Sequence, residues 1–314
     1  MAIDSAAKAG AGGARRQTRA VRLSVRDRIT IGVMVGIPML VVGGLIWFPT
    51  VASVLLSFTN WDGIGGVTSA HWIGTENYRQ IATIYPPFWP AVRHNLIWLA
   101  FLALIATPFG MLLAYQLDKR IRGTRIYQSI FFLPVVLSFA IIGFIWQLIY
   151  SPTQGLINNI FENPAHGSVT DWLGNPKLNL WAILVAVGWR HVGYVMVLYL
   201  AGLKALDPSL REAAAIDGAG EWHAFRTVVF PALMPINVVI VVVTVIEALR
   251  AFDIVYIVNR GRNGLELLSV LVTDNIIGEA SRIGYGSAIA VILIAISIIP
   301  IVVFVWNSFS EKQA

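Results

Sequence analysis

The residues best equipped for chemistry in this chain sit inside its apolar runs. Between Leu180 and Leu203 the sequence carries Arg190, His191 and Tyr194. Between Pro231 and Leu249 it carries Thr244 and Glu247, with Arg250 just beyond. Arg190 and Tyr194 are four apart and share one face of a helix; Thr244 and Glu247 are three apart and share another. A charge deep in hydrocarbon costs roughly 3 kcal/mol or more unless it meets a cavity or a partner. Two arrangements follow. Arg190, Tyr194, Thr244 and Glu247 line a shared polar cavity that hydrogen-bonds a hydroxyl-bearing solute, with Tyr194 supplying an apolar face. Alternatively, Arg190 and Glu247 form a structural ion pair, and one pair can do both.

Catalysis needs more than this. The histidines His71, His94, His166, His191 and His223 never fall at metal-ligand spacing, and no Ser–His–Asp or paired-carboxylate arrangement stands out. No Gly-x-x-x-x-Gly-Lys-Ser/Thr occurs, so nothing here cradles nucleotide phosphates. Gly218-Ala219-Gly220 and Gly284-Tyr285-Gly286 begin like dinucleotide fingerprints but lack the third glycine and a preceding strand. With no cysteine, disulfides, thiolate metal sites and thiol nucleophiles are excluded. The expectation is a chain with no catalytic residue, metal or cofactor of its own. Any work done with ATP then needs another subunit.

Composition places the chain in a bilayer. Of its 314 residues 57% are hydrophobic and 13% charged, against about 25% charged in soluble domains. Six apolar runs are long enough to span roughly 30 Å of hydrocarbon. They are Ile29 to Thr50, Asn95 to Gln116, Ile126 to Gln147, Leu180 to Leu203, Pro231 to Leu249 and Tyr285 to Phe304. The net charge of +6 does not imply a nucleic-acid partner, because the basic residues flank apolar runs. One side of the membrane receives 15 of the 23 Lys and Arg. These lie before the first span, between the second and third (Lys119, Arg120, Arg122, Arg125), between the fourth and fifth (Lys204, Arg211, Arg226), and at Lys312. That side is expected to be cytoplasmic and to hold both termini.

Residues 1–28 form a small, basic tail without apolar periodicity, expected to be disordered to about Val21 and able to meet anionic lipid. No cleavage site follows the first run, so it reads as a retained anchor. The connector from Ser57 to His94 is rich in Trp, Tyr, Pro and Gly, a composition that suits a membrane–water interface. No internal repeat is evident.

The most informative stretch runs from Asp207 to Pro235, a polar island between two apolar runs. Asp207 can cap a helix with Pro208 in its first turn, or Ser209 and Glu212 can form a capping box. Gly218 and Gly220 then break the helix and a second short one can run from Glu221 to Val229. Glu212-Ala213-Ala214, three residues, Gly218, nine residues, then Val228-x-Phe230-Pro231 resembles the "EAA" loop of permease subunits of bacterial ABC importers. Val228 and Phe230 replace the usual Ile and Leu and stay large and apolar. Thr59 to Gly63, Gly74 to Tyr78, Gly155-Leu156-Ile157-Asn158, Ala251 to Tyr256 and Gly284 to Ala288 resemble the sugar permeases of that family.

The resemblance covers about Ile29 to Phe309. It implies an all-α membrane protein with six transmembrane helices in the type I importer (MetI-like) fold, followed by a short tail at 310–314. It implies import of a sugar or oligosaccharide, with this chain forming half of the pathway in the inner membrane. The implied partners are a second permease subunit, read as a different chain, two ATPase subunits and an extracytoplasmic sugar-binding protein. The loop 207–231 would transmit ATPase closure through Glu212, Ala213, Ala214, Gly218, Val228, Phe230 and Pro231. An importer for glycerol phosphate or another solute is the near alternative. A secondary transporter, which needs no ATPase and usually shows repeat symmetry, and a membrane-embedded enzyme are rivals of other classes.

Overall fold

A computed structural model describes residues 24–119, 122–161, 169–278 and 281–310. Of the basic tail, residues 1–23 lie outside the described residues, as does the end at 311–314. Two compact units are distinguished, residues 1–51 and 52–314.

Helix α1 is Val25–Leu56 and includes a π turn at Gly43–Trp47. It starts inside the stretch expected to be tail. The Ser24 backbone N–H donates to Asp27 Oδ2 at 3.0 Å, so an acidic residue in the first turn satisfies a free amide at the helix start.

The second unit contains the remaining α-helices among the described residues. They are α2 Glu76–Thr83, α3 Phe88–Asp118, α4 Thr124–Val136, α5 Phe139–Ile149, α6 Leu156–Phe161 and α7 Asn179–Ala205. There follow α8 Pro208–Ile216, α9 Glu221–Ala232, α10 Met234–Leu249, α11 Asp253–Asn259, α12 Leu268–Ile276 and α13 Ile283–Ser310. No strand forms among the described residues; Thr59 and Trp72 make one isolated bridge.

Among the described residues, four helices are long and apolar enough to cross a membrane: α1, α3, α7 and the part of α13 up to Val302. The other two apolar runs are each a bent pair. Helices α4 and α5 meet at 104°, and α9 meets the helix that opens at Met234 at 74°. The first bend has a local cause. Leu137 is extended, and Ser138 Oγ accepts from the Ile141 N–H at 3.3 Å, which starts a new helix. The second bend falls between Pro231 and Pro235, where two missing N–H groups interrupt the ladder.

Helix α7 is the axis of the second unit. Leu180, Ile183, Leu184, Ala186 and Val187 join Trp98, Leu102 and Val255 in one buried cluster. Val195, Met196, Tyr199 and Leu200 join Ala114, Leu117, Phe225 and Val229 in another. Without a hydrophobic drive in lipid, such contact rests on close packing. Gly193 permits it, since a Cβ there would lie 2.1 Å from the Phe131 carbonyl oxygen of α4.

Buried asparagines hold the loops at one end. Asn77 Nδ2 donates to the carbonyls of Ser57 and Thr59, both at 2.8 Å. Asn95 Nδ2 donates to Ala248 O at 3.2 Å while its Oδ1 accepts from the Leu268 N–H at 3.0 Å. Asn158, from the Gly155–Asn158 segment, donates to Pro152 O and Thr170 O and accepts from Trp172 Nε1 at 2.6 Å. Neutral amides satisfy several backbone groups at once and add no charge to desolvate.

Candidate functional site

The loop between α7 and α10 is a helix, a turn and a helix. Asp207 is the cap of α8: its Oδ1 accepts from the Ser209 N–H at 2.9 Å, and Pro208 follows in the first turn. That hydrogen bond holds the Asp207 carboxyl below its usual range. Gly218 closes α8 with φ +76°, and nothing lies within 4 Å of where its Cβ would be. The Gly218 N–H donates to Ala215 O and the Ala219 N–H to Ala214 O. This pair of reversed bonds ends a helix on a left-handed residue, and glycine takes that conformation freely.

Glu212 and Ala213 face outward from α8, while Ala214 is buried. Val228 is half-buried, and Phe230 and Pro231 are exposed. The buried anchors of α9 are instead Phe225 and Val229, with the Phe230 ring 6.2 Å from that of Phe225. A π turn over Phe225–Val229 shifts the buried face by one residue. Two grooves flank the loop. One, of about 400 Å³, is lined by Ala214, Asp217, Gly218, Ala219, His223 and Val228 among others. The other, of about 900 Å³, is bordered by Asp118, Arg125, Lys204, Arg211 and Glu212 among others. Small residues beside open grooves make a surface that a second protein can approach closely.

The polar residues of the spans form a network. Arg190 Nη1 donates to Glu247 Oε1 at 3.1 Å, and His191 Nδ1 lies 2.8 Å from Glu247 Oε2. The far ring nitrogen of His191 is 3.2 Å from Thr107 Oγ1 and 3.3 Å from Thr244 Oγ1. Thr244 also donates to Ile240 O at 2.7 Å. The Arg190 guanidinium lies 4.3 Å from the centre of the Phe139 ring. One carboxylate thus ties the Arg190 guanidinium and the His191 imidazole of α7 to α10, and Thr107 of α3 joins through the imidazole.

Arg190 and Glu247 also border a cavity of about 310 Å³, with Trp98, Phe139, Arg250, Phe252 and Asp253 among its walls. Thr244 is buried behind it in the network. Tyr194, one turn further along α7, is half-buried against the cluster around Met196 and Val195. Of the four residues expected together, Arg190 and Glu247 share the cavity and Thr244 supports them.

Thr107, Trp98 and Phe139 were not singled out by sequence, whereas His191 was noted with Arg190 among the polar residues of its span. His191 stood beside Arg190, so a buried imidazole next to a buried cation was a usable signal. The others lie far along the chain, and only the packing of α3 and α5 on α7 brings them in.

Comparison with known proteins gives the family. Residues 106–312 match the family described as binding-protein-dependent transport system inner membrane component. A xylose/arabinose import permease of Haloferax volcanii is 32% identical over 269 residues, covering 84% of this chain and 83% of its own. An osmoprotective compounds uptake permease of a Synechocystis strain is 31% identical over 271 residues, 84% of this chain and 93% of its own. Among solved structures, a chain of a bacterial ABC transporter involved in import of the acidic polysaccharide alginate superposes with TM-score 0.76. It shares 18% identity and is matched over 91% of this chain and 96% of that one. The all-helical fold, the apolar spans and these matches agree: the chain belongs to the inner-membrane permease components of binding-protein-dependent ABC importers.

Proposed function

We propose that the chain forms half of the pathway of an ATP-driven importer of a sugar or oligosaccharide. The observation that carries the substrate class is the kinship, over most of both chains, with a xylose/arabinose import permease. A cavity walled by aromatic faces and by Arg190, Glu247, Arg250 and Asp253 agrees with it, since sugars present apolar ring faces and hydroxyl edges. The kinship with an osmoprotective compounds permease supports a second reading, another small polar solute.

In this reading the ATPase is a partner's. It closes on α8, which presents Glu212 and Ala213, and the Gly218 turn keeps α8 and α9 in fixed register. A second permease chain completes the pathway, and a binding protein delivers the solute from the face opposite to α8. The cation excess supports a cytoplasmic side for both termini and α8.

The test is purification from the native host with mass-spectrometric identification of co-purifying chains and bound solute, followed by ATP-dependent uptake in vesicles. Uptake of a pentose or oligosaccharide is expected; uptake of non-carbohydrate solutes alone would reject the sugar assignment. For orientation, a cysteine replacing Trp72 is expected to react with an impermeant thiol reagent on intact cells and one replacing Trp222 is not. The reverse pattern would invert the topology.

A further inference from the structure

The last turn of α3 grips both arms of the loop. Asp118 Oδ2 accepts from Arg211 Nη1 of α8 at 2.6 Å, across 93 residues of chain. Lys119, the next residue, donates to Glu221 Oε2 of α9 at 2.6 Å, across 102 residues. One turn back, the Tyr115 ring meets Phe225 of α9 edge-on, 4.8 Å between centres, and Lys119 Nζ lies 4.7 Å from the Tyr115 centroid. Leu117 shares a buried cluster with Leu203, Phe225 and Val229. The charges run minus then plus on α3 and plus then minus on the two arms, so only one docking register satisfies both pairs.

We infer that Asp118 and Lys119 are positioning residues for energy coupling. They seat α8 and α9 on the end of α3, so that a displacement imposed on α8 reaches the second span as well as α10, to which the loop is covalently joined. This rests on the reading of α8 as the ATPase contact. The exposure of the pairs fits the role. Asp118 is mostly buried, at 11% side-chain exposure, whereas Lys119 and Glu221 stand at 37% and 76%. Ion pairs this close to water add little stability; what two of them with crossed signs supply is register and direction. The large groove beside Arg211 and Asp118 leaves room for the seat to rearrange.

The experiment is a charge-swap cycle in the whole transporter, reconstituted in vesicles with its ATPase and binding protein. Asp118→Arg and Lys119→Glu are each expected to keep ATPase capture while lowering solute transported per ATP roughly five-fold or more, a typical coupling between sites. Adding Arg211→Asp to the first, or Glu221→Lys to the second, is expected to restore the ratio to within about two-fold, because only opposite charges facing each other are needed. If a reversal does not insert, the neutral variants Asp118→Asn and Lys119→Gln take its place and are expected to show a smaller loss of the same ratio. An unchanged ratio in the single variants, double variants no better than single ones, or loss of ATPase capture with the ratio intact would each overturn the inference. Ala213→Asp tests the underlying reading separately. If that variant captures the ATPase normally, α8 is not the contact, whatever the swaps do.

Discussion

The network inside the spans and the seat at the end of α3 use one chemistry in two surroundings. In both, carboxylates meet nitrogen-bearing side chains, an Arg in each, at 2.6–3.1 Å. In the first, His191 is 1% exposed and Arg190 and Glu247 about a fifth. In the second, Lys119, Arg211 and Glu221 are 37%, 40% and 76% exposed. Coulomb attraction at such distances rises several-fold between water and a protein interior, and so does the penalty for stranding one partner. The inner network therefore cannot be half-broken without a large loss, while the outer pairs can open and re-form. A permease needs both: spans that move as bodies, and a joint that yields.

The sharpest test of that difference is Glu247→Ala. It leaves Arg190 and His191 facing each other without their shared anion, and breaking a buried pair from one side costs about 3–5 kcal/mol. Thermal unfolding in lipid nanodiscs is expected to show that loss almost unchanged as salt rises from about 0.05 to 0.5 M, since buried pairs are poorly screened. Glu247→Gln, which still accepts from Arg190, is expected to lose less. A loss that vanishes in high salt would show that the network is wetter than the geometry implies. Uptake in the same variants separates the two roles of Glu247. In the pathway reading, transport falls further than the loss of folded chain explains.

Next in size is Gly218. Its left-handed backbone costs an ordinary L-residue roughly 1–2 kcal/mol, and the open space around it removes crowding as a rival cause. Gly218→Val is expected to weaken ATPase binding by up to roughly ten-fold, the equivalent of about 1.4 kcal/mol. Gly218→Asn, whose side chain tolerates this conformation, is expected to keep most of the affinity. Equal loss in both variants would point to contact with the partner instead of backbone strain.

These cases also mark what could be read before any fold was known. The six apolar runs and the glycine at the end of α8 follow from local physics, and both appear in the structure. The Arg190–Glu247 pair was legible as one of two options, because a charge in hydrocarbon demands a partner. The bend between α4 and α5 was not foreseen. The run from Ile126 to Gln147 carries no charged residue, and Ser138 reads as a cap only once Leu137 is seen to be extended. The seat on α3 was hidden for another reason. Asp118 and Lys119 look like ordinary charges at the end of a span, and their partners lie about 100 residues away. Helical periodicity carries no signal over that distance.

The smallest expected effect separates geometry from role. Arg79 and Glu76 form an ion pair nearly as short as those of the seat, 2.7 Å, with Gln80 donating to the same carboxylate at 2.9 Å. Hydrogen bonds from Arg79, then Gln80, lower the Glu76 pKa to about 2. A depressed carboxyl supports the fold above its ordinary range, near 4.5, and loses that support as pH falls towards 2. Through neutral pH it stays ionised and the pair stays made. Yet all three residues belong to α2, so the pair joins no two elements. Arg79→Ala is expected to leave uptake and ATP cost unchanged and to lower the unfolding temperature only slightly at pH 7, as for most exposed pairs within one helix. A fall in solute moved per ATP would mean that a short exposed ion pair matters here wherever it sits. The crossed charges of Asp118 and Lys119 would then lose their claim to a special place in coupling.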